Sequence, residues 1–318
     1  MISMAIGLIV AGAAFSAYIG TAAAARMTQS QGQMYEDGQA ALGILVQQVR
    51  MAGSNPDQPG RINDPSPTLA SVHNPVYLPA PTYAGYQLSP ASFRLSAFSL
   101  RGCKGPFPNV AGAGRIDDLL CASGAGPQSL AVSYEADRYN TTPNELGLAT
   151  DCLGNALGLV TATLPAALGA GIANVEVVYA VADNRFYIGS SASVPGLYCK
   201  GAGGVAAQPL VDNIEDLQFM FGVASVASPA ATATVAGYLN ADDIATQADL
   251  AALPDDAARW AKVLTVRICV LVRSELPLVD TLAAARYLKC DGTMETSPPD
   301  RRLRRAYSTT VALRNRGS

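Results

Sequence analysis

Six cysteines, one histidine, a run of arginines and two acidic pairs are the residues of this sequence that could do chemistry. Cys103, Cys121, Cys152, Cys199, Cys269 and Cys290 form an even set with no Cys-x-x-Cys pair and no short metal-ligand spacing. That pattern reads as disulfides, which need an oxidising compartment such as the periplasm or the cell surface. Many connectivities are open; pairing in chain order, 103 with 121, 152 with 199 and 269 with 290, is the simplest. The one histidine, His73, sits in His73-Asn74-Pro75. A lone histidine in a proline-rich stretch excludes most Ser-His-Asp, Cys-His and multi-histidine zinc schemes, so His73 reads as a loop residue and no enzyme activity is assigned.

Asp242-Asp243 and Asp255-Asp256 do not follow the spaced pattern of a calcium loop and read as capping and solvated residues. Asn140-Thr141-Thr142 fits the pattern of a glycosylation acceptor, and no modification is assigned to it. Arg301, Arg302, Arg304 and Arg305, with Arg314 and Arg316 nearby, are the strongest charge cluster. Exposed on one face, they would bind phosphates with an affinity that falls as salt rises. The plainer reading places them in a turn after Pro298-Pro299-Asp300, leading into the last strand. There they answer acidic residues of the Asp212–Asp216 segment or guard a sheet edge. Nucleic acid is therefore the minor reading, and no metal or cofactor is expected.

The chain that must position these residues has 318 amino acids, 49% hydrophobic and 15% charged, with a formal charge of −3. Such a composition excludes disorder, and the net charge supplies no general attraction to phosphate. The length allows about two domains.

No charged residue occurs from Met1 to Ala25. Met4, Ile6, Leu8, Ile9, Val10, Phe15 and Ile19 belong to a segment apolar on every face, about 37 Å long as a helix, enough for a bilayer core of about 30 Å. A basic n-region is missing and the apolar stretch is longer than a signal peptide's, so a spanning or packing helix is expected. Beyond Arg26 the apolar positions Met34, Leu42, Leu45, Val46 and Val49 recur at steps of three and four, with glutamines between them. Gly53 and Asn55-Pro56 supply the stop. One helix to about Ala52 follows, its first half meeting lipid or other chains and residues 26–53 packing on a head. The glycines at 7, 12, 20, 32, 38 and 43 suit close helix approach.

Downstream, the many prolines of residues 54–92 predict a loop wrapping the head, anchored by Tyr77, Tyr83 and Tyr86. A short helix is expected at Ile116–Leu120. Alternation predicts strands at Leu130–Tyr134, at Val175–Val181 turning at Asp183-Asn184 into Arg185–Ile188, and at Leu264–Val272. Leu217, Phe219 and Phe221 make another inward row, and Tyr307, Thr309, Val311 and Leu313 a third. These last three strands are expected to form a core sheet that receives the helix. A single helix is predicted over Asp242–Leu253, capped by Asn240 and ended by Pro254, after a variable loop or hairpin at Ala224–Gly237.

The apolar run from Met1 to Val10, the glutamine-rich stretch and Leu45-Val46-Gln47-Gln48-Val49-Arg50-Met51-Ala52-Gly53 resemble the N-terminal helix of type IV pilin-like proteins. Asp212 to Phe219, Trp260 to Ile268, Val272-Arg273-Ser274 and Arg301-Arg302 through Asn315 are similar in order and spacing to PilW-type minor pilins. They are similar more loosely to the minor pseudopilin J of type II secretion. The family's processing junction and nearby glutamate have no counterpart here, Met1 falling inside the expected mature helix, so no processing residue is carried over.

The resemblance implies an α+β fold: a long N-terminal helix, residues 1–53, on an antiparallel head, residues 54–318, stapled by disulfides. It implies a minor pilin that primes or caps a type IV pilus, waiting in the inner membrane with its head in the periplasm and ending on the cell surface at the tip. Its partners would be other minor pilins, the major pilin and a PilY-type tip adhesin. A type II pseudopilin is the near alternative. A DNA-uptake receptor using Arg301–Arg305 is the alternative from another class.

Overall fold

A computed structural model describes residues 2–58, 73–77, 87–90, 93, 95–124, 126–164, 174–204, 206–226 and 234–315. It opens with one helix, α1 (Ile2–Met51), whose 50 residues run about 75 Å at 1.5 Å each. Gly53 ends it with φ of +81°, a left-handed turn that a Cβ would strain, and its N–H donates to the Ser133 carbonyl at 3.0 Å.

Thirteen strands follow: β1 (Gln87–Ser89), β2 (Leu100–Cys103), β3 (Ser129–Ala136), β4 (Leu159–Leu164), β5 (Val175–Ser191), β6 (Val194–Lys200), β7 (Gln208–Asp212), β8 (Ile214–Ala224), β9 (Val235–Leu239), β10 (Val263–Pro277), β11 (Tyr287–Leu288), β12 (Met294–Glu295) and β13 (Arg302–Ala312). All named strand pairs are antiparallel. A seven-stranded sheet runs β1-β4-β5-β3-β2, with β6 and β7 continuing from β5, and a four-stranded sheet runs β13-β10-β8-β9. The fold is α+β, as the sequence implies.

Helix α1 lies on the four-stranded sheet, chiefly across β10 and β13. Alternation explains why: Val266, Ile268, Val270 and Val272 of β10 are fully buried on one face, while Arg267 is exposed on the other. Cys269 and Leu271 share Arg267's face yet are buried. The Cys269–Cys290 disulfide ties the segment between β10 and β13 to that side. The two sheets meet where Gly102 of β2 faces Phe221 of β8; an added Cβ would sit 2.6 Å from the Phe221 ring. Phe221 in turn meets Trp260 edge to face at 4.8 Å.

The expected turn at Asp183-Asn184 is absent. β5 continues through it, with Val132 of β3 opposite Asn184. Asn184 is wholly buried: its amide donates to Gln48 and its carbonyl accepts from the Cys152 N–H. A turn would expose those groups. The reversal comes instead at Ala192-Ser193, both with positive φ, +47° and +66°, the two-residue geometry that suits the strand twist.

The single helix expected over Asp242–Leu253 is instead α2 (Ala241–Thr246) and α3 (Ala248–Ala251), followed by α4 (Asp256–Trp260). Ile244 and Leu250 are both buried, yet six residues is about 240° around a continuous helix, so a break at Gln247 is needed to turn both inward. Asn240 caps α2 and Asp255 caps α4. The short helix expected at Ile116–Leu120 is a single 3-10 turn, Ile116–Asp118. Tyr77 anchors its segment by donating to the Ser133 carbonyl at 2.5 Å. Tyr83, Tyr86 and much of the 54–92 and 224–237 stretches lie outside the described residues.

Candidate functional site

Helix α1 carries the only extended apolar surface that the head leaves bare among the described residues. Met4, Ile6, Leu8, Ile9, Val10, Phe15 and Ile19 are all more than half exposed, from 53% at Ile19 to 78% at Met4. The most apolar 18-residue window of the helix has mean hydropathy 1.7, and none of it is buried. Its hydroxyls do not spoil this surface. Ser16 donates to the Ala13 carbonyl, Thr21 to Ala17 and Tyr18, and Thr28 to Ala24. Polar groups satisfied within the helix cost little in an apolar medium.

The seat of the helix begins near Met34. Met34, Leu42, Leu45 and Val49 are buried against the head, and Val46 is half-buried. Gly38 lies against the Tyr307 ring so closely that a Cβ would fall 2.5 Å from it. At the other five helix glycines, 7, 12, 20, 32 and 43, an added Cβ would meet open space, with nothing beyond the helix's own backbone within 4 Å. Tyr35 meets Tyr307 edge to face at 6.1 Å. At the far end Gln48 Oε1 accepts from Asn184 Nδ2 at 2.8 Å and from the Tyr134 hydroxyl at 3.4 Å. Burial pushes the Tyr134 hydroxyl up to about 12, so it stays protonated and donates. Asn315 adds a donor to the Arg50 carbonyl at 3.2 Å.

The cysteines pair in chain order: Cys103–Cys121, Cys152–Cys199 and Cys269–Cys290. Each ties a loop to a strand that the helix or the other sheet packs upon.

The arginine cluster does not form the exposed patch that phosphate binding would need. Arg304 is 7% exposed and its guanidinium is shared between Glu215, at 2.9 Å, and Asp300, at 2.8 Å. Arg302 also pairs with Asp300 at 3.0 Å. Burial works against the charge of Arg304, but its bonds to Glu215 and Asp300 outweigh that and hold it protonated. The bond from Arg304 holds the Asp300 carboxyl far below the usual range, against its partial burial. Arg301 and Arg305 remain exposed, and Arg305 lies over the Tyr307 ring at 5.6 Å. Alternation along β13 puts Arg302 and Arg304 on one face, where both pair with Asp300, and Arg305 on the other, so the four do not converge on one anion. His73 Nδ1–H donates to the Asn55 carbonyl at 2.8 Å and its Nε2 lies 3.2 Å from Asp57, on a loop. Among the described residues no group of three His, Cys, Asp or Glu side chains is placed to hold a metal.

Sequence reasoning missed Gln48 and Asn184 as residues that lock the helix to the head, and placed Tyr307 in an inward row without its contacts to Gly38 and Tyr35. The signal for Asn184 was present: a buried-type alternation runs straight through it from Val177 to Phe186, which fits a continuous strand better than a hairpin.

The described chain is a long helix, bare at one end and seated at the other on an antiparallel, disulfide-braced head. Residues 185–315 match the family model PilW, described as type IV pilus-assembly protein W. That stretch runs from within β5 to just beyond β13. A solved structure, the type IV-like pilin TTHA1219 from Thermus thermophilus, is similar at 13% identity over 62% of this chain and 82% of that one, with a TM-score of 0.26. No curated protein gives a match.

Proposed function

We propose that this chain is a minor pilin: a non-enzymatic structural subunit that primes assembly of a type IV pilus or caps its tip. The observation that carries the reading is the unbroken passage within α1 from a wholly exposed apolar half to a half seated on the head. An apolar rod about 37 Å long fits a bilayer, and the same surface fits among like rods when a filament replaces lipid. Lipid already shelters that surface before assembly, so packing and head contacts must favour the move into a filament. The PilW match supports a pilus setting. Residues 54–318 would then be the head, periplasmic first and on the cell surface afterwards. Other minor pilins, the major pilin and a tip adhesin of the PilY type are the proposed partners.

Deleting the gene and counting surface pili tests this. Loss of pili, restored by the wild-type chain but not by a chain with Leu8→Arg and Val10→Arg, is the expected result. Normal piliation in the deletion strain, with a defect in protein secretion instead, would transfer the subunit to a type II pseudopilus.

A further inference from the structure

The face of α1 buried on the head is set by Met34, Gly38, Ala41, Leu45 and Val49. At about 100° per residue, Asp37 lies about 80° to one side of this stripe and Tyr35 about 80° to the other. The two flanks of the molecule differ in charge.

On the Asp37 side a groove of about 630 Å³ opens between the helix, the Ala192-Ser193 turn and the ends of β7 and β10. Asp37, Asp212 and Glu275 line it, and among the described residues none of their carboxylates has a hydrogen bond or ion pair. The arginines that share the groove are already engaged: Arg273 with Glu215 and the Ser193 carbonyl, Arg302 with Asp300. Burial, then the charges of Asp212, Glu36 and Glu275, raise the Asp37 carboxyl above its ordinary value. On the Tyr35 side the exposed cation is Arg305. It touches the Tyr307 ring and has no carboxylate partner among the described residues.

Arg305 borders the same hollow as Gln31 and Met34. Asp37 is one to two turns further along the helix, a difference in height of about 5–9 Å. Two copies standing upright in one bilayer therefore present the cation of one and the carboxylates of the other at nearly the same level.

We propose that these flanks are the two halves of a lateral docking surface, by which a second copy of this chain in the same membrane sets its Arg305 into the Asp37–Asp212–Glu275 groove. The contact is heterologous: each copy keeps one flank free, so copies add in a row or close into a ring. This rests on the membrane-anchored reading of α1 and adds to it the identity of a neighbour before assembly.

The test uses the full chain, tagged with donor or acceptor fluorophores at its carboxyl terminus, in phosphatidylcholine vesicles. The wild type should show energy transfer that falls as salt rises. The variant Asp37→Lys/Asp212→Lys and the variant Arg305→Glu should each associate with themselves at least tenfold more weakly. Mixed together they should regain wild-type transfer, since each then supplies the charge that the other lacks, and that recovery also shows that both are folded. A wild type that stays monomeric while vesicle-bound, single variants that associate normally, or a mixture that fails to recover would each overturn the docking. Failure of the chain to stay with the vesicles would instead overturn the anchoring.

Discussion

Gln48 of the helix and Asn184 of β5 are 136 residues apart in sequence and joined by a 2.8 Å hydrogen bond inside the head. Asn184 is fully buried and Gln48 half-buried. The pair joins the helix to the seven-stranded sheet, while the apolar stripe joins it to the four-stranded one. A helix held only by an apolar stripe can slide by a turn at modest cost, whereas a buried amide pair has one position in which both partners are satisfied.

Replacing Asn184 with Ala leaves the Cys152 N–H without its partner and the Gln48 carbonyl with the Tyr134 hydroxyl alone. A loss of about 1–3 kcal/mol is expected. Denaturant titration of the full chain in detergent measures it. The Gln48→Leu/Asn184→Leu double variant should lose less than the sum of the two single changes; additive losses would mean that the pair is not coupled.

Gly38→Ala raises helix propensity by up to about 1 kcal/mol, yet the added methyl would meet the Tyr307 ring. The clash should win, with a net loss of about 1–2 kcal/mol. Tyr307→Ser should abolish that penalty and leave Gly38→Ala stabilising. Thermal denaturation of the four chains decides.

Arg304→Met should cost about 3 kcal/mol, at the low end for breaking a buried ion pair because Glu215 and Asp300 keep some exposure to water. The pH dependence has a definite sign. Asp300 has a folded-state pKa below its unfolded one, so its contribution is present above the unfolded value and is lost as pH falls through the acid range toward the folded one. Stability curves from pH 7 to pH 2 should therefore fall steeply in the wild type and less steeply in Arg304→Met.

Asp37 carries the opposite sign. Its carboxyl is raised, first by burial and then by Asp212, Glu36 and Glu275, so its ionised form costs stability at neutral pH and protonation relieves that cost as pH falls. Asp37→Asn should stabilise the monomeric chain in detergent at pH 7 and make no difference below the range in which the carboxyl titrates. Equal stability of the two chains at both pH values would show that the charge is already answered.

Losing any one disulfide should cost about 3–4 kcal/mol, the larger value for Cys152–Cys199, whose ends lie 47 residues apart. Cys→Ala pairs, compared by denaturant titration, give the order. Peptide mapping without reductant checks the pairing itself.

Much of this architecture was legible in the residue order. Twenty-five uncharged residues followed by an apolar period of three and four can only be a rod with a bare end and a seated end, because the backbone must bond to itself and the stripe must be covered. Period-two alternation likewise named β8, β10 and β13, which form one sheet whose β10 and β13 receive the rod, and the even, well-separated cysteines announced disulfides. Asp183-Asn184 reads locally as a turn, but Asn184 finds its partners 136 residues back on the helix and at Cys152, and a turn propensity of a few tenths of a kcal/mol yields to buried hydrogen bonds worth more. The arginine run reads first as partners for the acidic Asp212–Asp216 segment, and Glu215 does pair with the buried Arg304, but only the packed strands decide that Arg302 turns to Asp300 and that Arg301 and Arg305 stay exposed. Near-neighbour periodicity is written along the chain. Which flank of the helix gathers carboxylates and which keeps Arg305 depends on where distant strands end beside it, and that is decided only when the chain packs.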